Sequence, residues 1–345
     1  MILYNPRQLG KEFFMKKKTT LKRILVLFMA LIMMLSLFSC GKKKEEDLPP
    51  EQDPEQEQGD GSPTVTISLN KLLEIANRTW TFNELISNIF TDYVAYTADD
   101  GVTIKVEPKK TDVPAPTYDY STIVTDEKTG FKYYDLNSET KQSWKGIDVS
   151  AYQGYIDWNA VADSGIEFAF IRLGYRGYTE GGLIKDSYFD RNVQGAIEAG
   201  IPVGVYFVTQ AITVEEAKEE AQYVLDNIRW YDITWPIVYD VEGHSASEAR
   251  ANNISTEKNS EQIVAFCQAI KDAGYTPMVY SNTRWFVSKI DMSKIKDFDI
   301  WYAYYRDNIY FPYDFKVWQF SSTGRVDGIE GDVDQNISFV NYGAR

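Results

Sequence analysis

Residues 235–244 read WPIVYDVEGH, and the reading of this stretch decides how the chain is assembled. Positions 237–239 (IVY) form an apolar run that looks like a buried strand. Asp240 and Glu242 then follow at alternate positions before Gly243. A strand running out into solvent would make these acids ordinary surface residues; a strand ending at a pocket would make them chemistry. The sequence on either side has to choose.

Working outward, strand and helix signals alternate from about residue 144. Candidate strands are GIDVS (146–150), FAFIRLG (168–174), PVGVYFV (202–208), WPIVYDVE (235–242), TPMVYS (276–281), DIWYAYY (299–305), FKVWQFS (315–321) and a short GDVDQN (331–336). Near-continuous apolar strands separated by amphipathic helices imply a parallel sheet covered on both faces. Between them, DSYFDRNVQGAIEAG puts Phe189, Val193, Ala196 and Ile197 on one face and stops at Gly200. TVEEAKEEAQYVLDNI opens with Thr213 and Glu216 in capping-box spacing and turns Ala217, Ala221, Val224, Leu225 and Ile228 inward. Cys267 lies on the apolar face of SEQIVAFCQAIKDAGY and reads as a buried structural thiol.

Eight strands close a barrel, so the expected fold is α/β, an irregular (β/α) TIM-like eight-stranded barrel over 141–345. It should be poor in helix in its second half, because about 200 residues stand where a regular barrel needs about 250. An open doubly wound sheet is the alternative, but no glycine-rich phosphate loop follows any strand.

In such a barrel the site lies at the C-terminal ends of the strands. Asp148, Asp240, Glu242 and Asp334 all fall there. Alternation turns Asp240 and Glu242 to one side, with Cβ atoms about 6–7 Å apart at a rise of roughly 3.3 Å per residue. Two carboxyls this close in a partly apolar pocket resist joint ionisation, and one becomes a proton donor at neutral pH. Glycosidic cleavage needs that donor, with an anion to stabilise the positive charge that develops at the anomeric carbon. Tyr206, Tyr280, Trp301, Tyr304, Trp318 and Gln319 supply aromatic and amide groups at the same ends. Clustered acids also suit calcium or magnesium. His244 is the only histidine, which excludes the usual zinc sets and a Ser-His-Asp or Cys-His triad; no metal and no cofactor is expected.

The N-terminal part reads differently. A basic MKKKTTLKR (15–23), an apolar run to residue 39 and Cys40 form a leader over 1–39, with Met15 as the expected start; LSLFSC resembles a bacterial lipoprotein signal that lipidates Cys40. Residues 40–63, rich in Glu, Gln, Asp and Pro and free of aromatics, are expected to form a disordered stalk. A small mixed α+β accessory unit is expected over 64–113, from the alternating TVTISL, the helical TFNELISNIF and a hairpin turning at Asp100-Gly101; a linker follows at 114–140. Removing the leader, which holds seven basic residues and one acidic, takes the net charge from −14 to −20. Such a surface excludes nucleic acid as a partner.

The ordered set KGIDVSAYQGYIDW (145–158), FAFIRLGY, YFDRNVQGAIEAGIPVGVYFV, PIVYDVEG, IWYAYY, VWQF and GDVDQN resembles the family 25 glycoside hydrolases, the Chalaropsis-type lysozymes, from about residue 144 to the end. The resemblance implies hydrolysis of the β-1,4 bond between N-acetylmuramic acid and N-acetylglucosamine in peptidoglycan, with retention of configuration. It implies Glu242 as general acid/base, Asp240 as the carboxylate stabilising the intermediate, and Asp148 and Asp334 as the remaining site acids. Asp334 is preferred to Asp332 because the motif places the acid two residues before an Asn. Tyr206, Tyr280, Trp301, Gln319, Gln153 and Arg172 would bind the glycan. A chitinase-type barrel would carry a further acid where Val238 stands. The implied partners are peptidoglycan strands and, through the lipid, the outer face of the cell membrane, with the chain acting as a monomer. A non-catalytic glycan-binding lipoprotein is the competing reading.

Overall fold

A computed structural model describes residues 81–134 and 142–344. The leader, Cys40, the stalk and the strand expected at 64–69 lie outside the described residues.

Helix α1 (Phe82–Ile89) opens with a reciprocal cap. Thr81 Oγ1 accepts from the Glu84 N–H at 3.2 Å, and Glu84 Oε2 accepts from the Thr81 N–H at 2.5 Å. Strands β1 (Tyr93–Thr97) and β2 (Ile104–Pro108) pair antiparallel. Gly101 takes the left-handed conformation their turn needs (φ +71°), while the Asp100 carboxylate accepts from the Val102 and Thr103 N–H groups.

The stretch expected to be a linker is packed over its described part. Strands β3 (Ile123–Thr125) and β4 (Lys132–Tyr134) form a second hairpin. Tyr118 stacks on Phe339 at 4.6 Å and Tyr120 on Phe315 at 4.8 Å, while Phe131 and Tyr134 are buried. Its aromatic residues outweigh the prolines that suggested a spacer.

The barrel consists of β5 (Trp144–Val149), β6 (Phe168–Arg176), β8 (Val203–Val208), β9 (Ile237–Asp240), β10 (Pro277–Asn282), β11 (Asp299–Ala303), β12 (Val317–Gly324) and β13 (Val333–Ser338). Each pairs with the next and β13 closes on β5, while a short β7 (Leu183–Lys185) hairpins off the end of β6. The expected all-parallel sheet needs one correction: β13 runs antiparallel to both β12 and β5. Only residues 325–332 join β12 to β13, too few for the dozen or more that a parallel crossover requires.

Helices α2 (Trp158–Asp163), α3 (Phe189–Glu198), α4 (Val214–Ile228) and α5 (Thr256–Asp272) cover the first half. The later connections hold only α6 (Thr283–Ser288) and α7 (Met292–Ile295), so the second half is irregular as expected. Outward residues such as Tyr239, stacked on Phe266 at 4.1 Å, fill the layer under the helices, and Cys267 is buried there, its thiol pushed up by burial. Inward residues Phe168, Phe170, Val238, Met278 and Trp301 pack the barrel centre, where Trp235 stacks on Phe168 at 4.0 Å. Large rings fit because small residues face them: a Cβ on Gly146 would stand 2.1 Å from the Phe168 ring, and one on Gly204 would stand 2.5 Å from Phe170. This filled centre is the floor on which the polar residues of the mouth rest.

Candidate active site

Strand β9 ends at Asp240, two residues before the expected end, and Glu242 stands in the connection that follows. Val238 and Asp240 face inward while Ile237 and Tyr239 face the helices, as alternation requires. Register then sets the neighbours. Asp240 lies beside Tyr280 of β10, Tyr206 of β8 beside Arg172 of β6, and Asp334 of β13 directly opposite Asp148 of β5. Asp332, the other acid of the motif, is instead paired with Arg325 at 2.9 Å.

The four acids share one electrostatic environment. Asp148 is buried, and its Oδ2 accepts from Gln319 Nε2 and Asn336 Nδ2, both at 2.8 Å. Burial and then the Asp334 charge hold its carboxyl well above the usual range, against the pull of those two amides. Asp240 is raised by burial first, then by Glu242 and Asp148, with Arg172 opposing; its Oδ1 is buried without a hydrogen-bond partner. Glu242 is raised by burial and by Asp334. Asp334 is pushed up to about 6 by burial and by Asp332. Asp148 and Asp240 are almost fully enclosed, whereas Glu242 and Asp334 stay partly open to solvent.

The other expected site residues take different places. Tyr206 and Tyr280 are partly buried at the mouth, and Tyr280 donates to Gln319 Oε1 at 2.8 Å. Arg172 pairs with buried Asp186 at 2.7 Å and stacks on the exposed Tyr152 ring at 5.1 Å. Trp301, expected to line the groove, is 1% exposed; it stacks on Phe170 at 4.6 Å and donates to Asn336 Oδ1 at 2.8 Å, so it forms the floor. Trp318 points out of the barrel, donating to the Tyr304 carbonyl. Gln153 braces backbone instead: it accepts from the Ser150 N–H at 2.9 Å and donates to the Asp332 carbonyl at 3.3 Å.

Three site neighbours escaped the sequence reading. Asn336 shares the inward face of β13 with Asp334, a period-2 signal that was legible. Tyr305, half exposed, donates to Gln319 Oε1 at 2.8 Å from just beyond β11, which ends at Ala303, two residues before the expected end. Asp186 lies beyond β7 and gave no signal. His244 is also accounted for: it stacks on Tyr178 at 4.1 Å, and Asn252 clasps its backbone N–H and C=O.

Residues 147–329 match the family described as Glycosyl hydrolases family 25. The chain belongs to this family. It is 32% identical over 202 residues to the uncharacterized protein YegX of Escherichia coli K12, covering 56% of this chain and 68% of that protein. It is 32% identical over 205 residues to Lysozyme M1 of Streptomyces globisporus, covering 56% and 66%. The crystal structure of the modular autolysin LytC of Streptococcus pneumoniae superposes with a TM-score of 0.53 at 27% identity, over 71% of this chain and 56% of that one. LytC has also been solved with a synthetic peptidoglycan ligand (TM-score 0.52, 26% identity, 71% and 56% coverage). The chain thus spans little more than half the length of LytC.

Proposed function

We propose that this family 25 chain is a muramidase that hydrolyses the β-1,4 bond between N-acetylmuramic acid and N-acetylglucosamine in peptidoglycan. The observation carrying the reading is the convergence of Asp148, Asp240, Glu242 and Asp334 on one barrel mouth, the first three of them within the residues that the family match spans. The lysozyme and autolysin relatives, one of them solved with a peptidoglycan ligand, support the substrate.

Glu242 is the acid/base. Burial and the Asp334 charge raise its proton affinity, which favours the proton-donor form, and it is more open to an incoming glycan than Asp240 or Asp148. It gives its proton to the leaving glycosidic oxygen as the bond to the anomeric carbon breaks. Later it takes a proton from the attacking water, restoring itself. Burial raises the proton affinity of Asp148 and Asp240 as well. These carboxyls are enclosed, and each has a group favouring its ionised form: two amides for Asp148, the Arg172 guanidinium for Asp240. A cationic sugar above Asp240 adds to that pull, and the ionised Asp240 stabilises the developing charge. Retention follows through an Asp240 ester or through the substrate's acetamido oxygen, and Glu242 acts alike in both. Tyr206, Tyr280 and Arg172 hold the glycan from the walls.

The sequence also supports a tethered enzyme: Cys40 lipidated, residues 41–63 a stalk, and the barrel acting outside the cytoplasm. Purified chain should release muramic-acid reducing ends from peptidoglycan, and Glu242→Gln should lower kcat about a thousandfold without loss of fold. Full activity in that variant would sink the assignment, while glycan binding without turnover in the unmutated chain would favour a binding lipoprotein. In cells, Cys40→Ser should move the protein from membrane to soluble fractions; unchanged membrane retention would remove the anchor from the proposal.

A further inference from the structure

Glu84, in the first turn of α1, is completely buried, and its partners lie 220 residues away. Besides closing the cap with Thr81, it accepts through Oε1 from the Tyr304 hydroxyl, and Arg306 Nε stands 3.5 Å from the same oxygen. A buried carboxylate costs several kcal/mol unless hydrogen bonds and charge answer it, and here both answering side chains flank one residue, Tyr305.

Tyr305 leaves the C-terminal end of β11, and its hydroxyl reaches Gln319 Oε1 at 2.8 Å, where Tyr280 also donates at 2.8 Å. Gln319 Nε2 in turn donates to Asp148 Oδ2 at 2.8 Å. An amide can present either end to a neighbour, and two O–H donors on its oxygen fix the nitrogen toward the carboxylate. Strand β12 anchors the backbone only as far as Tyr304, whose N–H donates to the Gln319 carbonyl at 3.0 Å and whose carbonyl accepts from Trp318 Nε1 at 2.7 Å. Beyond that point the turn is held by Glu84 through Arg306 and by Lys132, paired with Asp307 at 2.7 Å. The hairpin of the same N-terminal region is tied down nearby, with Asp99 paired to Arg284 of α6 at 2.6 Å.

We propose that Glu84 is a positioning residue for the carboxylate site: by holding Tyr304 and Arg306 it places Tyr305 where it orients the Gln319 amide toward Asp148. This rests on the muramidase reading for its catalytic consequence, and it gives the N-terminal α1–β1–β2 region a part in the reaction. When the turn loosens, the Gln319 amide is freed and ionised Asp148 loses a donor.

The test follows Asp148 by carboxyl carbon-13 NMR in the full chain lacking its leader, alongside peptidoglycan cleavage. In Glu84→Ala the Asp148 midpoint should rise by about one pH unit, and kcat should fall about tenfold with KM little changed. Glu84→Gln, which keeps an acceptor for Tyr304, should restore both. Tyr305→Phe should reproduce the Glu84→Ala shift, and the double variant should go no further. An unmoved midpoint and kcat in folded Glu84→Ala overturn the proposal. Where that variant does not fold, Tyr304→Phe carries the same expectation. The NMR arm needs no turnover, so an inactive parent chain would count against the muramidase reading alone.

Discussion

On the flank of the barrel, between β6 and α4, Glu220 is fully buried and every neighbour answers it. Arg176 donates through Nε at 2.7 Å, Thr209 at 2.8 Å and Tyr239 at 2.5 Å, and the same guanidinium also reaches Glu219 and the carbonyls of Gly181 and Glu216. At the mouth, four acids gather; Arg172 moderates Asp240, and that guanidinium is already bonded to Asp186. Asp240 Oδ1 has no hydrogen-bond partner among the described residues. Both regions bury carboxylates; the flank answers Glu220 on both oxygens, whereas the mouth answers Asp148 on Oδ2 and leaves Asp240 Oδ1 unanswered. Satisfied charge fixes β6 against α4, whereas the unanswered oxygen at the mouth is available to the developing cation of the proposed reaction.

The contrast should break most visibly at Arg176. Removing it strands Glu220 in the interior, so Arg176→Ala should lose about 3–5 kcal/mol in denaturant unfolding, while the folded fraction keeps its kcat. A loss below about 1 kcal/mol would mean that the flank is not the satisfied region it looks.

At the mouth the sign reverses. Folded Asp334 holds its proton to about pH 6, whereas the unfolded chain releases it near the ordinary value of 3.8. Folding therefore binds a proton between these values, and stability falls as pH rises from about 4 to 6, staying lower above. Asp334→Asn removes that penalty. Thermal unfolding should show a gain on the order of 2 kcal/mol at pH 7 that vanishes below about pH 4, accompanied by loss of activity. Equal stability at pH 7 would show that the mouth carries no such strain. The smallest effect belongs to Glu219, 60% exposed on its side chain though 2.7 Å from Arg176: Glu219→Ala should cost less than about 1 kcal/mol, and a larger loss in the same unfolding assay would extend the buried network to the surface.

Much of the barrel was legible because its signals are local. Apolar runs bounded by Gly and Pro gave eight strands, and period-3.6 faces gave α3, α4 and α5. The carboxylates were legible as residues at strand ends. What escaped was long-range. The reversal of β13 follows from connection length, but the burial of Trp301 depends on Gly146 and Gly204 admitting the Phe168 and Phe170 rings beneath it. Tyr118 and Tyr120 sat in a proline-rich stretch whose partners, Phe339 and Phe315, lie some 200 residues away. Within α4, Glu220 carries no local signal that sets it apart from the other acids of the helix; the β6 guanidinium makes it core.

By itself, the sequence determined the strand and helix periods, the acids available and their order along the chain, because these depend on neighbours within a few residues. The tertiary structure decided which acids face one another, which aromatic rings are floor rather than wall, and that α1 reaches the mouth through Glu84. Those outcomes depend on barrel closure, which brings Asp148 opposite Asp334 and Glu84 onto Tyr304, contacts set by register and packing across the whole fold.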